Sequence, residues 1–273
     1  MKEILTNDTS LEDKIKRELE SSFESKRKRI FSKIFSAALG SVPWVGGFLS
    51  AMADFKSEEG QVKNNQLYTE WLKEHTEKMK RLGETLIEVV KKLDEFNDDI
   101  NERLESEEYL QIVRKAFRAW DNSDTIEKRD LIRKLLINSG TQNIVPDDLI
   151  RLFLDWLNLY HEVHFSVIKV IYQNHGVTRY QIWQELNGQQ VRENSMEADL
   201  FKLLIRDLST GSVIRQHRRT DYYGNFIKKQ PIKKTSSSGV YKSAFDNEEE
   251  YELTELGKQF VHYTMNEVVR KIE

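Results

Sequence analysis

Cysteine is absent from the 273 residues. Its absence excludes disulfides, thiol nucleophiles and cysteine-ligated metals, and with no N-terminal signal pattern the expected location is the bacterial cytoplasm. The common catalytic signatures are missing as well. There is no glycine-rich phosphate loop, no GxSxG elbow and no HExxH helix, and the six histidines are scattered. No catalytic role and no cofactor are therefore expected. Proline occurs only three times, so long helices can run without interruption. Net charge is small: 32% of residues are charged, yet the formal balance is −3. Any binding to an anionic polymer must then be local.

What is present is enough apolar material, 38% of residues, for two modest cores in a mainly α chain. The expected division is a helical domain over 1–144, a bridging helix over 145–160 and a third region over 161–273.

The last region is the most informative. Phe165 to Tyr172 has apolar residues at helical spacing, stopped by Asn174-His175-Gly176. Thr178 can cap a second helix in which Ile182, Trp183 and Leu186 share a face. Ser195 opens a third, with Met196, Leu200, Leu203, Leu204 and Leu208 as its apolar positions and Gly211 at its end. Val213-Ile214-Arg215 reads as a strand and Tyr251-Glu252-Leu253 as its returning partner, after which Thr254 caps a last helix. Between the strands lies a long basic loop.

This succession, with STGSVIRQ and YELTELGKQFVHYT, resembles the MarR/PadR-type winged helix-turn-helix domains from about Glu162 to Glu273. The resemblance implies that the third helix takes the recognition position and that the loop is a wing, which in such domains touch DNA. This sequence departs from the pattern in its long wing and acidic third helix. Glu197 and Asp199 stand beside Lys202 and Arg206, a nearly neutral face. The wing instead concentrates Arg215, Arg218, Arg219, Lys228, Lys229, Lys233, Lys234 and Lys242, interleaved with Tyr222, Tyr223 and Phe226. Guanidinium and ammonium groups neutralise phosphates and aromatic rings stack on bases. Lys202, Arg206 and these basic wing residues are the candidate nucleic-acid contacts, DNA being expected ahead of RNA. The bland alternative is a solvated loop with a Thr235–Gly239 linker tip.

Two features mark the N-terminal half. Ile34 to Ala53 is uncharged and follows Lys26-Arg27-Lys28-Arg29. Gly40, Pro43, Gly46 and Gly47 divide it into two arms of about 8 residues, or about 12 Å each, against a hydrocarbon core of about 30 Å. Such a hairpin, with Leu39, Trp44 and Phe48 around its tip, could enter one leaflet of an anionic membrane; Ala37, Gly40, Gly47 and Ala51 would let the arms pack closely. The alternative is a buried centre of a helical domain. In layout, residues 10 to 105 resemble helical pore-forming toxins and the abortive-infection alpha family of bacterial phage defence. The second feature is a seam of Leu72, His75, Met79, Leu82, Leu86, Val89, Leu93, Phe96 and Ile100 at alternating steps of three and four. One helix over 62–104 would be about 60 Å long and would need a partner, either the N-terminal stripe of Leu11, Ile15, Leu19, Phe23, Ile30 and Ile34 or a second copy. A homo-oligomer is expected from it.

Shorter helices follow, one through Tyr109 to Trp120 and one capped at Asp124 or Thr125 and stopped by Gly140, before Pro146 and Asp147-Asp148 open the bridging helix. His161 and His164 could share a helix face as in a metal site, but two ligands do not make one. The sequence supports an interaction protein that assembles through a coiled coil and binds nucleic acid or a protein, as a phage-defence or stress effector would, at the membrane periphery if the hairpin inserts. The other reading is a dimeric DNA-binding regulator.

Overall fold

The computed structural model describes residues 25–57, 66–96, 98–189, 191–218, 221–223, 225, 227 and 243–266. These are mainly helical and divide into two units. The described residues up to Leu159, with those from Tyr263, form the first; Tyr160–His262 form the second.

In the first unit, α1 (Ser25–Ser41) and α2 (Pro43–Ser57) meet at a bend of 92°. Pro43 suits the first position of a helix because it has no N–H to leave unpaired. Ile30, Phe31, Ile34, Ala37 and Ala38 on α1, and Val45 and Phe48 on α2, are buried. The predicted pair of arms of about 8 residues is thus corrected to helices of 17 and 15 residues that turn a corner. Of the small residues expected to let the arms pack closely, Ala37 is buried and Ala51 half-buried, but the glycines are not in contacts that need them. Gly40, Gly46 and Gly47 are exposed, and a Cβ on any of them would meet nothing within 4 Å. Leu39 and Trp44 are half-buried, Pro43 is exposed, and the Trp44 indole N–H donates to Asp121 Oδ1 at 2.8 Å. Among the described residues no single helix is long and apolar enough to cross a membrane.

The long seam helix, α3 (Gln66–Asp94), is 29 residues, about 43 Å, and stops short of the predicted end. Arg27 of α1 closes it, donating to the Asp94 carboxylate at 2.9 Å and to the carbonyls of Asp94 and Phe96 at 3.1 and 2.6 Å. Beyond it come a 3₁₀ turn (Asp98–Ile100) and α4 (Asn101–Glu105), so Phe96 and Ile100 lie outside the helix. Leu72, Met79, Leu82, Leu86, Val89 and Leu93 are all buried within the unit, where α3 packs on α2 and α6 (Ile126–Thr141). The seam therefore has its partner in the same chain, and a second copy is not needed to cover it. His75, in that seam, stacks on Trp71 with ring centroids 4.2 Å apart, beside Trp44 and Phe48.

Helix α5 (Glu107–Asp121) starts where the Ser106 hydroxyl accepts the Tyr109 N–H, and its buried face runs from Tyr109 to Trp120 against α1, α6 and α7 (Asp147–Leu159). Thr125, rather than Asp124, caps α6. Gly140, read above as a helix stop, lies inside α6: a Cβ there would meet Tyr109 Oη at 2.9 Å and the Leu104 and Leu93 side chains at 3.0 Å. It is glycine because three other helices crowd it. Arg103 binds both carboxylate oxygens of Asp147, at 2.5 and 2.9 Å, which fixes the start of α7 on α4. The buried Asn138 amide donates to the carbonyls of Tyr263 and Asn266 at 2.8 and 3.0 Å.

The second unit runs α8 (Glu162–Gln173), β1 (Val177–Thr178), α9 (Arg179–Leu186), α10 (Met196–Thr210), β2 (Ile214–Gln216), β3 (Glu250–Leu253) and the start of α11 (Glu255–Thr264). The three strands form one antiparallel sheet in the order β1-β3-β2, with Ile214 opposite Leu253, Arg215 opposite Glu252 and Val177 opposite Tyr251. Thr178 and Gln181 make a reciprocal cap on α9, and Ser195 caps α10. The LTELG segment turns the chain from β3 into α11. The Thr254 hydroxyl donates to Ser212 O at 2.6 Å and accepts the Gly257 N–H at 2.9 Å. A Cβ on Gly257 would collide with the Val213 carbonyl oxygen, so only glycine lets α11 lie this close to the start of β2.

Candidate nucleic-acid interface

Helix α10 inserts Ala198, Phe201, Leu204, Ile205 and Leu208 into the core of the second unit. That corrects the apolar face expected from the spacing. Leu204 and Leu208 belong to it, but Met196, Leu200 and Leu203 are 81%, 45% and 38% exposed and form a stripe on the outer side. Beside the stripe are Glu197 and Asp199, both exposed, and Lys202. Lys202 is engaged by two carboxylates, Glu193 at 3.5 Å and Asp199 at 3.9 Å. Glu193 also holds the segment that leads into β3, accepting from the Ser243 hydroxyl and, at 3.0 Å, from the Ala244 N–H. Burial acts to raise the Glu193 pKa, but these bonds and Lys202 outweigh it and keep the carboxyl ionised below its ordinary range. Phe245 then stacks on Phe201 and packs at a tilt on Trp183, with centroids 5.9 and 5.0 Å away.

The other side of α10 is basic. Its last turns, β2 and the first residue of α9 wall a cleft of about 550 Å³ lined by Arg179, Arg206, Arg215 and Arg218 together with Ser209, Thr210, Gln216, Tyr251, Ile205 and Ile214. Among the described residues no Asp or Glu lines it. The four arginines come from distant points in the sequence. Arg206 projects from α10 and its side chain is 72% exposed, whereas Arg215 is set by the strand register opposite Glu252 and bonds it at 2.6 Å. Glu252 also accepts from His217 at 2.8 Å. Its burial would raise its pKa, yet the bonds from His217 and Arg215 prevail and hold it below the ordinary value. Arg218 lies two residues beyond the end of the strand. Arg179 donates through Nε to the Tyr251 hydroxyl at 2.8 Å and lies 5.4 Å from the centre of that ring.

Of the residues singled out from the sequence, the structure brings Arg206, Arg215 and Arg218 to one cleft and leaves Lys202 paired on the neighbouring surface. Arg219, Lys228, Lys229, Lys233, Lys234 and Lys242, with Phe226, lie outside the described residues. Tyr222 and Tyr223 are exposed, at 97% and 84%, on a turn in which Asp221 accepts the N–H groups of Tyr223 and Asn225. Two participants were missed. Arg179 hides as the residue after a helix cap, and Tyr251 reads only as a strand apolar residue; strand pairing of β1 with β3 is what juxtaposes them. His161 and His164 serve as a helix cap: His164 Nδ1 accepts the His161 N–H at 3.2 Å, and its ring stacks on Tyr160 at 5.0 Å. Among the described residues no three His, Asp or Glu side chains are grouped to hold a metal.

Comparison with known proteins finds no family model, no curated protein and no solved structure that matches the chain.

Proposed function

We propose that the second unit is a winged helix-turn-helix module and that the chain is a non-catalytic protein that binds nucleic acid through phosphate rather than by reading bases. The observation that carries this is the cleft: four guanidiniums, from α9, α10, β2 and the segment just beyond it, with no carboxylate among the described residues of the lining. Glu252 offsets Arg215 and Asp207 stands 3.7 Å from Arg206, but neither carboxylate lines the cleft, and an anion there would relieve the remaining like-charge repulsion while accepting charge-assisted hydrogen bonds. The element order and the β1-β3-β2 sheet support the winged-helix reading. The outer face of α10 argues against sequence reading, since it offers Met196, Leu200, Leu203 and two acids where base edges would need donors.

The test is binding of the full chain to labelled DNA duplexes of unrelated sequence over a salt series. Affinity should be equal across sequences and fall with salt along a log–log slope of about −2 to −4, as a few phosphate contacts require. Arg206→Gln should reduce the slope by about 1. Failure to bind any duplex at low salt would sink the proposal. The exposed Met196, Leu200 and Leu203 favour one second reading, a protein partner on α10, and Leu200→Asp should abolish such a contact while leaving nucleic-acid binding intact. Membrane insertion of Ile34–Ala53 finds no such support, because its large apolar side chains Ile34, Val42, Val45 and Phe48 are buried in the first unit.

A further inference from the structure

Among the described residues the arginine cleft is a concave site, and that shape bears on which phosphate it takes. Two of its guanidiniums, Arg179 and Arg206, have no carboxylate within hydrogen-bonding distance among the described residues: the contacts of Arg179 are the Tyr251 hydroxyl and ring, and Asp207 stands 3.7 Å from Arg206. Tyr251 is 2% exposed and its hydroxyl accepts from Arg179. Its own proton is therefore directed to no acceptor among the described residues, in the wall of the same cleft. A buried hydroxyl in that position is a donor waiting for an oxygen.

We infer that this cleft is a site for a phosphomonoester dianion, the group carried by a 5′-phosphorylated nucleic-acid end or by a free nucleotide. An internal phosphodiester brings one charge and two terminal oxygens. A phosphomonoester brings about −1.5 to −2 at neutral pH and three acceptor oxygens, which matches Arg179, whose contacts among the described residues are with Tyr251, and the exposed Arg206, held only by an ion pair of 3.7 Å to Asp207, plus a phenolic donor. The volume, about 550 Å³, exceeds what a phosphate alone fills and lies in the range of sites that take a whole small ligand. The phosphate would sit against Arg179, Arg206 and Tyr251, leaving the rest of the cleft for the sugar and base. The inference rests on the nucleic-acid reading only for the carrier of the phosphate, not for the site itself.

The experiment uses the full chain and three probes: a 3′-labelled single-stranded 12-mer with a 5′-phosphate, the same oligonucleotide with a 5′-hydroxyl, and AMP. The phosphorylated oligonucleotide should bind about tenfold or more tightly than its twin, the value of one charged hydrogen-bonded contact, and Arg179→Gln should erase that difference. Arg206→Gln, at an exposed position, gives the same readout in case Arg179→Gln impairs folding, which a thermal melt reports. Equal affinity for the two oligonucleotides overturns the inference and leaves the proposed function standing. Binding of AMP, lost in both variants, with no binding of either oligonucleotide supports the site and overturns nucleic acid as the carrier. No binding of any probe overturns both.

Discussion

At the scale of single residues, the firmest sequence-to-structure link is Gly257. Its place in LTELG has a physical cause, since any Cβ there meets the Val213 carbonyl oxygen, and that backbone atom, just before β2 and bonded to the Thr254 N–H at 3.0 Å, cannot step aside. Gly257→Ala should therefore destabilise the second unit by about 1–3 kcal/mol or more, read as a lower urea midpoint with an unchanged m-value. Glu252 carries a different dependence. Its folded pKa is held below the ordinary 4.5 by His217 and Arg215, so the carboxylate stabilises the fold above that value, and the contribution is lost as pH falls through the folded value. Partial exposure keeps the effect small. Urea midpoints taken near neutrality and well below pH 4.5 should differ less in Glu252→Gln than in the parent; an identical difference would mean that the pair adds nothing. Neither residue announces its role by type alone. The glycine was legible as part of a motif, whereas the carboxylate needed the register that sets it across from Arg215.

Among the elements, helix caps were the most readable signals. Thr125, Thr178, Ser195 and Thr254 all act at helix starts, because capping is chemistry between near neighbours in the chain. Helix faces were read less well. Spacing alone grouped Met196, Leu200 and Leu203 with the core of α10, but Ala198, Phe201 and Ile205 compete for the same inward side, and their contacts with distant segments decide the rotation. The two-residue β1 was invisible because it is too short to show alternation. The α3 seam shows the same limit: the period was correct, but periodicity does not name the partner. Leu86→Ala should cost about 2–5 kcal/mol by opening a cavity inside the unit, and the folded remainder should sediment as the parent does. A shift in sedimentation would mean that copies share the seam.

For the molecule as a whole, the sequence was read as domains placed one after another, and the described residues are arranged otherwise. The mainly helical class was legible from composition and period. The return of the chain to the first unit at Tyr263 was not, because it depends on Asn138 meeting the end of α11, 125 residues away in sequence. Ending the chain after His262 should destabilise the first unit, since Asn138 would lose two hydrogen bonds to carbonyls there, each worth about 0.5–1.5 kcal/mol. A truncated chain as resistant to limited proteolysis as the parent would refute this.

That return has one more consequence. The second unit is spliced into the first at both of its ends, an insert and not an appendage. A single cut at the Leu159–Tyr160 junction would not free it, because α11 would still carry it, and a ligand that stiffens it stiffens both strands of chain on which it hangs. An occupied arginine cleft would then be legible far from itself, as slower hydrogen exchange where the chain crosses, at Leu159 and at Tyr263.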